Sequence, residues 1–438
     1  MKKLYTLTSL IYLCLINLTS HAQWTSANLS TARYNFSAAS GGDKAMFAGG
    51  IGLVSIPYDF VDVYEGTSAT WTGTNLSVSR TTAAATSCGT KIFFAGGADD
   101  GILANFDVVD MYDGTTGGWA AMSLSAPRTK LAAASGGSQV FFAGGVNDGA
   151  GVCYKVVDVY DTATGVWTTT DLSVPRYFLA GAGAGGKIVF AGGTDLTNAV
   201  MDVVDIYDVA SSTWTTATLS EARFNCTATS CGNKIFIAGG LNNSGVASNR
   251  VDIYDVTTNT WSIDSLSTGR WFTSSSAVQN KVFFAGGMDA NLATMYDVVD
   301  IYDTTTQTWM LSHLTTARAW AAATSIDDLF MIGGGINETF FPLGSVEIYS
   351  LLTGVKDAVT ESGPEVFPNP VADQLNFFNT IQHGSMQITN ALGEIVYQKN
   401  LDSQSDLISI TTNQFSKGVY ILKITEEGKS LFRKFIKN

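Results

Sequence analysis

The chain has 438 residues, of which 45% are hydrophobic and only 14% are charged, with 44 glycines and 7 prolines. That composition is typical of many short strands joined by tight turns, so it favours an all-β fold over long charged helices. The formal net charge is −13, and the acidic excess lies almost entirely in residues 23–356. An acidic domain argues against nucleic acid or an anionic membrane as its ligand.

The N-terminal residues 1–22 have the pattern of a secretory signal peptide. Two lysines precede an apolar stretch at residues 4–18, which is too short and too rich in Thr, Ser and Asn to span a membrane. A small-x-small site at residues 20–22 predicts cleavage before Gln23. We therefore expect Sec-dependent export to the periplasm and no transmembrane span; the alternative is a buried N-terminal helix.

A motif of four residue types recurs seven times, at steps of 47 or 48 residues. Glycine doublets begin at Gly49, Gly96, Gly144, Gly192, Gly239, Gly286 and Gly333. The tyrosines are Tyr64, Tyr112, Tyr160, Tyr207, Tyr254, Tyr302 and Tyr349. The tryptophans are Trp24, Trp71, Trp119, Trp167, Trp214, Trp261 and Trp309. The arginines are Arg33, Arg80, Arg128, Arg176, Arg223, Arg270 and Arg318.

Each repeat contains four strand signals and no helical period, as the second repeat illustrates. Its predicted strands are residues 81–88, 91–97, 108–112 and 118–124, with a turn at residues 113–116. Four short strands in each repeat predict one blade of a β-propeller. Small residues suit a first strand beside the axis, a glycine doublet suits close backbone approach, and the large aromatic residues suit gaps between blades.

This arrangement resembles the kelch repeat, in which a glycine doublet is followed by a Tyr and a Trp with six residues between them. Six repeats keep that spacing: Tyr64–Trp71, Tyr112–Trp119, Tyr160–Trp167, Tyr207–Trp214, Tyr254–Trp261 and Tyr302–Trp309. The resemblance covers residues 23–350 and implies a seven-bladed kelch-type β-propeller. Trp24 precedes the first doublet and no Trp follows Tyr349, so we expect the N-terminal strand to complete the last blade.

The sequence changes character after the last repeat. Residues 351–364 are interpreted as a linker, and residues 365–438 contain short alternating strands that predict a small antiparallel β-sandwich. This segment resembles the C-terminal sorting domain of the type IX secretion system, and the matching residues are Pro368, Asn369, Pro370, Gly393, Gly418 and Lys434. The resemblance implies the type IX secretion machinery as a partner, and a secreted or cell-surface location. An ordinary accessory sandwich is the alternative.

Some kelch propellers are copper oxidases that resemble galactose oxidase, and that chemistry needs histidine ligands. After signal cleavage only His313 and His383 remain, and His383 lies in the sorting segment, so a two-histidine copper site is excluded. We interpret His313 as a solvated strand end and the four remaining cysteines as small buried side chains. Since no nucleophile, zinc or phosphate-binding motif is present, we expect no catalytic residue, no metal and no cofactor.

The recurring Arg is predicted to pair with a recurring acid on the third strand, which makes both of them scaffold. Function is expected where the repeats differ, in the two residues after each Arg, where an outer strand crosses to the next blade at the channel mouth. The aromatic residues at these positions are Tyr34, Tyr177, Phe178, Phe224, Trp271, Phe272 and Trp320. Such a cluster suits a sugar ring or an extended peptide. Gap filling between blades is an equally weighted alternative.

The leading functional hypothesis is a non-enzymatic binding or interaction protein that binds glycan or protein through the channel-mouth face. The alternative is a carbohydrate-active propeller enzyme that uses carboxylates near the mouth. Acidic and amide residues follow several glycine doublets, but they lack the dense alternation of a calcium loop and are interpreted as solvated turns.

Overall fold

The structure is a computed structural model. It describes residues 24–54, 56–99, 104–351, 364, 366–378, 384–390, 395–401, 407–426 and 429–438. The predicted signal peptide, linker residues 352–363 and Gly393 lie outside the described residues. The chain divides into two compact units, residues 1–351 and 352–438.

Seven four-stranded antiparallel sheets form the first unit, one for each repeat. The first strands lie beside one another and ring the axis. They are Ser37–Gly41, Ala84–Cys88, Ala132–Gly136, Ala180–Ala184, Thr227–Cys231, Ser274–Val278 and Ala322–Ile326. The second strands are Lys44–Ala48, Lys91–Ala95, Gln139–Ala143, Lys187–Ala191, Lys234–Ala238, Lys281–Ala285 and Leu329–Gly333. This arrangement confirms the seven-bladed β-propeller.

The outer half of each blade consists of the third and fourth strands. The third strands are Phe60–Glu65, Val108–Asp113, Val156–Asp161, Val203–Asp208, Arg250–Asp255, Val298–Asp303 and Ser345–Ser350. The fourth strands are Thr70–Asn75, Gly118–Ser123, Val166–Asp171, Thr213–Thr218, Thr260–Ser265, Thr308–His313 and, for the last blade, Trp24–Asn28. Two short hairpins pair Ala98–Asp99 with Ala104–Asn105 and Val146–Asn147 with Val152–Cys153. A further two-residue pairing joins Arg223–Phe224 to Leu241–Asn242, with the first two strands of the fifth blade between them in the chain.

The predicted ring closure is confirmed. The N-terminal strand pairs antiparallel with the third strand of the last blade, with Trp24 opposite Tyr349. The Trp24 indole packs on the Tyr349 ring at 5.0 Å between centroids, and its Nε1 donates to the Ser312 hydroxyl at 2.9 Å. Because the N-terminal strand and the last repeat form one sheet, no gap is left between the last blade and the first.

The glycine doublets follow the second strands at a point where backbones nearly touch. In the last blade the equivalent pair is Gly334–Gly335 and not the predicted Gly333–Gly334, because Gly333 still belongs to the strand. Gly96 has a φ of 64°, and a Cβ at that position would lie 2.4 Å from the Arg128 carbonyl oxygen. Gly97 has a φ of 102°, and its Cβ would lie 2.5 Å from the Thr81 carbonyl oxygen. Both predicted reasons for the doublet, close approach and positive φ, therefore apply together.

The recurring aromatic pair packs between blades, as predicted. In the fourth blade, the Tyr207 ring lies 5.0 Å from the Trp214 ring and 5.2 Å from Phe141 of the preceding blade. The Trp214 Nε1 donates to the hydroxyl of Thr170, also in the preceding blade. Each blade thus contributes one large apolar wedge to its neighbour, which stabilises the ring by burial.

Each recurring Arg forms the predicted ion pair, and its side chain is fully buried. The pairs are Arg33–Asp62, Arg80–Asp110, Arg128–Asp158, Arg176–Asp205, Arg223–Asp252, Arg270–Asp300 and Arg318–Glu347. In the second blade the Arg80 Nη2 also donates to the Phe94 carbonyl, while Asp110 accepts the Ser77 backbone N–H. The pair therefore ties each crossover segment to the blade that follows it.

The second unit contains a three-stranded and a four-stranded antiparallel sheet, in agreement with the predicted sandwich. The smaller sheet comprises Val366–Phe367, Gln374–Phe377 and Ile408–Thr411. The larger comprises Gly384–Asn390, Ile395–Leu401, Gly418–Glu426 and Lys429–Lys437. Phe377, Ile388, Leu422 and Phe435 are fully buried in its core.

Candidate functional site: the channel mouth

Seven residues, each two positions after a recurring Arg, surround the mouth of the central channel. We call them the mouth ring: Asn35, Thr82, Lys130, Phe178, Asn225, Phe272 and Trp320. All seven have a left-handed backbone, with φ between 51° and 56°. Asn tolerates this conformation, whereas β-branched and aromatic residues adopt it at an energetic cost. Strain repeated around one opening is typical of a functional site.

Backbone hydrogen bonds run from one blade to the next along the mouth ring. The Asn35 N–H donates to the Trp320 carbonyl at 3.2 Å, and the Thr82 N–H donates to the Asn35 carbonyl at 2.9 Å. Phe178 and Asn225 extend the same pattern from Lys130 onwards, with both N–O distances at 3.0 Å. These bonds fix the rim of the mouth before any ligand arrives, which reduces the ordering cost of binding.

All seven predicted binding residues lie in one unbroken chain of ring contacts, which we call the aromatic arc. Along the chain the order is Tyr177, Phe178, Phe224, Trp271, Phe272, Trp320 and Tyr34, with successive centroids 4.2–6.2 Å apart. Every ring is half-buried. The arc spans the mouth from the fourth blade round to the first and presents accessible ring surface along its length.

Part of the arc also fills gaps between blades, which was the alternative role predicted for these residues. Met288, Met295, Ala319 and Ile336 form a small buried cluster, and Tyr34, Trp271, Phe272 and Trp320 pack against it. The Trp271 Nε1 donates to the Asp289 carbonyl at 3.0 Å, which fixes the indole. These rings are anchored on one side and remain accessible on the other.

The remaining sector of the mouth is polar, and the sequence did not single out its key residue. The Lys130 ammonium lies 5.8 Å from the Tyr177 ring centroid and 5.4 Å from that of Phe178, so it caps one end of the arc by cation–π contact. Lys130 also donates to both Asp148 carboxylate oxygens at 3.0 Å. In the sequence, Lys130 could have been noticed because it is charged, whereas many of the other residues that follow a recurring Arg are aromatic.

The mouth ring encloses two overlapping cavities. One, of about 270 Å³, is lined by all seven ring residues and leads into the channel. The other, of about 550 Å³, opens over the polar sector, where Thr129 and Asp148 join the lining. A volume of this order accommodates a sugar ring or a few peptide side chains.

Asx side chains organise the loops that surround the mouth, which refines the expectation of simple solvated turns. The Asp289 Oδ1 accepts the N–H groups of Ala293 and Thr294, and the Asn242 Oδ1 accepts those of Ser244 and Val246. Asp195 holds its loop in the same way, and the Thr197 hydroxyl bond lowers the pKa of that carboxyl. The loops are thus held in defined conformations.

His313 and the cysteines are the other residues whose side chains could carry chemistry. His313 ends an outer strand with its side chain 60% exposed, 3.3 Å from Asp297, consistent with a solvated strand end. Of the four cysteines that the structure describes, Cys231 is buried as expected, whereas Cys88, Cys153 and Cys226 are half-buried. Cys226 lines the smaller mouth cavity, and desolvation raises the pKa of its thiol to about 11. In the described ranges, no cluster of three potential metal ligands occurs, and no helix has the length and hydropathy of a membrane span.

In the second unit, the predicted sorting residues that the structure describes lie near the C-terminal strand. The Asn369 Oδ1 accepts the Ile436 N–H at 2.9 Å, and the Val371 N–H donates to the Ile436 carbonyl at 2.7 Å. Gly418 pairs with Lys437 at the end of the same sheet. The Pro368–Pro370 segment therefore fastens the last strand of the chain.

Comparison with known proteins agrees with this architecture. Residues 130–335 match the family model described as "KLHDC2/KLHL20/DRC7 Kelch-repeats domain", and residues 365–438 match "Secretion system C-terminal sorting domain". A solved structure entitled "Structure of YjhT" shares the fold, with a TM-score of 0.50 and 14% identity, covering 62% of this chain and 94% of that one. The search of curated proteins finds no match.

The blades and the matched repeats together define a kelch-repeat β-propeller protein. More particularly, it is a kelch propeller that carries the C-terminal sorting domain of the type IX secretion system.

Proposed function

We propose that the protein is a non-enzymatic binding protein, secreted or held at the cell surface, whose propeller takes its ligand at the channel mouth. The kelch repeats support an interaction role, and the sorting domain supports export by the type IX secretion machinery. The observation that carries the proposal is the aromatic arc, an unbroken chain of seven half-buried rings across the mouth.

The arc suits binding because aromatic rings give large contact area with little loss of side-chain entropy. Its rings are already fixed by contacts with one another, by the Trp271–Asp289 hydrogen bond and by the buried cluster below them. A ligand therefore meets a preformed surface, and the polar sector at Lys130 can orient it by hydrogen bonding. Both glycan rings and extended peptides fit this description.

The carboxylates near the mouth favour binding over hydrolysis. A glycosidase needs one carboxyl group whose raised pKa keeps it protonated as a general acid. Asp148 is paired with Lys130. Partial burial works to raise the pKa of Glu221, but hydrogen bonds from Ser248 and Asn242 outweigh it and leave the pKa below its usual value. For these reasons we prefer a binding protein to the carbohydrate-active enzyme.

The test is a glycan array and a displayed-peptide screen on the purified protein, run beside an activity screen on sugar substrates. A ligand found in this way is then titrated against Trp320→Asn, in which Asn tolerates the left-handed backbone at that position. We expect binding to weaken by at least about tenfold, while relief of backbone strain offsets part of the stability lost with the Trp320 packing.

The matched control is Phe378→Ala, which removes an exposed aromatic side chain from the sorting unit and should leave binding unchanged. Equal binding by the parent and Trp320→Asn would contradict the proposed site, and turnover of a sugar substrate would favour the enzyme.

A further inference from the structure

Five large apolar side chains are exposed on two loops beside the mouth. Leu53, Val54 and Ile56 belong to the loop of the first blade, and Phe340 and Phe341 belong to the corresponding loop of the last blade. Their exposed fractions run from 49% to 67%. We call these five residues the apolar patch. Single exposed apolar residues are ordinary, but a group of five on neighbouring loops marks an interaction surface.

The two loops flank the crossover segment that closes the propeller. The Gly335 N–H donates to the Arg33 carbonyl at 2.9 Å on one side, and the Tyr34 N–H donates to the Ile51 carbonyl at 3.0 Å on the other. Tyr34 is also the last ring of the aromatic arc and stacks on Trp320. Tyr34, at the end of the arc, is therefore hydrogen-bonded to the loop that carries Leu53, Val54 and Ile56, and its neighbour Arg33 is bonded to the loop that carries the two Phe residues.

The last blade's loop has a defined conformation, in which Phe340 adopts an unfavourable backbone. Phe340 has a φ of 59°, a left-handed backbone that an aromatic residue adopts at a cost, although its side chain is exposed. The Asn337 Oδ1 accepts the N–H groups of Thr339 and Phe341 and so keeps the loop in this shape. Phe340 thus combines an exposed ring with a strained backbone, which suits contact with another molecule.

The charge of the mouth face selects among partners. The seven loops between second and third strands, residues 49–59, 96–107, 144–155, 192–202, 239–249, 286–297 and 334–344, contain ten Asp or Glu and one Lys. This excess disfavours an anionic lipid surface and also a second copy of this acidic chain. It favours a partner of positive charge.

We propose that the apolar patch and the arc together bind a polypeptide segment that carries aliphatic or aromatic side chains and a net positive charge. The inference rests on the proposed mouth-face binding function and names its partner. Sugars stack on aromatic ring faces but gain little from Leu53, Val54 and Ile56, whereas apolar peptide side chains pack well against them. The patch thus distinguishes a polypeptide from a glycan.

The test begins with the full-length purified protein and a displayed library of random twelve-residue peptides. We expect the enriched peptides to combine Lys or Arg with Leu, Ile, Phe or Trp, and their affinity to fall as salt rises. The double variant Phe340→Ser/Phe341→Ser should weaken binding of a synthetic selected peptide by at least tenfold. The matched control, Ile263→Ser/Leu311→Ser, removes apolar side chains that are 57% and 56% exposed on outer strands and should bind like the parent.

The outcomes separate this inference from the function on which it rests. Loss of peptide binding in both Trp320→Asn and the Phe340/Phe341 variant supports the continuous surface. Loss of peptide binding in Trp320→Asn alone overturns the role of the apolar patch and leaves the mouth as a binding site. Enrichment of peptides without basic or apolar residues overturns the inference. Binding to phosphatidylcholine vesicles in place of peptides, or self-association that the Phe340/Phe341 variant abolishes, likewise overturns it.

Discussion

Trp24, the first residue that the structure describes, packs edge-on against Tyr349 in the last repeat, with ring centroids 5.0 Å apart and planes at 73°. In the other six blades the same Tyr–Trp contact is made within one repeat, as between Tyr112 and Trp119. The last blade makes it between the two ends of the propeller sequence. Closure of the ring therefore depends on a short N-terminal strand.

Deletion of residues 23–30 should destabilise the propeller far more than truncation of an ordinary chain terminus. It removes the Trp24 packing and the strand that pairs with Ser345–Ser350, a loss of about 3–5 kcal/mol. The melting temperature, measured by circular dichroism, should fall by about 4–7 °C. The double variant Thr25→Ala/Ser26→Ala, at exposed positions of the same strand, should melt near the parent. A deletion that melts within a degree or two of the parent refutes the closure role.

Replacement of one partner in a buried Arg–acid pair should cost more than replacement of both. Arg176→Met leaves Asp205 charged, buried and without its guanidinium, which should lower the free energy of unfolding by about 3–5 kcal/mol. The double variant Arg176→Met/Asp205→Leu removes both charges and should recover part of that loss. Urea denaturation of both variants and of Asp205→Leu gives the coupling energy. Additive losses would mean that the pair is not coupled.

The left-handed backbone at Thr82 should store strain that a more tolerant residue relieves. Thr82→Asn should raise the free energy of unfolding by about 0.5–1 kcal/mol, because Asn adopts positive φ more readily than a β-branched residue. The matched control is Thr86→Asn in the extended first strand of the same blade, which should be destabilising. Chemical denaturation distinguishes the two, and a loss of stability in both variants would argue against strain at the mouth ring.

Stability should fall in acid partly through the surface pair Lys281–Asp303, in which the N–O distance is 2.8 Å. The hydrogen bond from Lys281 lowers the pKa of Asp303 to about 2, so the folded chain holds this carboxyl ionised at pH values where the unfolded chain protonates it. The contribution is complete above about pH 4 and is lost as the pH falls toward 2.

A series of melting temperatures from pH 5 to pH 2 tests this dependence. Asp303→Asn should show a shallower decline than the parent, whereas Asp202→Asn, at an exposed position, should follow the parent curve. Parallel curves for the parent and Asp303→Asn would show that this pair does not contribute.

Removal of residues 360–438 should block the final export step and leave a folded propeller inside the cell envelope, because these residues belong to a separate compact unit. Asn369→Ala, which removes the acceptor of the Ile436 N–H, should lower the exported fraction. Cell fractionation with immunoblotting measures both effects. Unchanged secretion of the truncated protein would refute the sorting role.

The sequence predicted the strands of each blade well, and its main error lies at the mouth. The first strand of the second blade was predicted from residue 81, but it begins at Ala84, because Thr82 has a left-handed backbone. Thr is a β-branched residue and favours strands, so its identity conceals this turn. For the same reason, the Phe and Trp of the mouth ring gave no sign of positive φ, although their place at the mouth was predicted.

The amino-acid sequence by itself determined the number of blades, the four strands in each, the Arg–acid pairs and the closing strand at Trp24. The blades and the Arg–acid pairs repeat with a fixed spacing, so each is specified by residues within about one repeat, and the closing strand follows from the absence of a Trp after Tyr349. Only the tertiary structure joined the seven aromatic residues into one arc and placed Lys130 at its end. Such contacts link different blades, and their geometry exists only once the ring has closed.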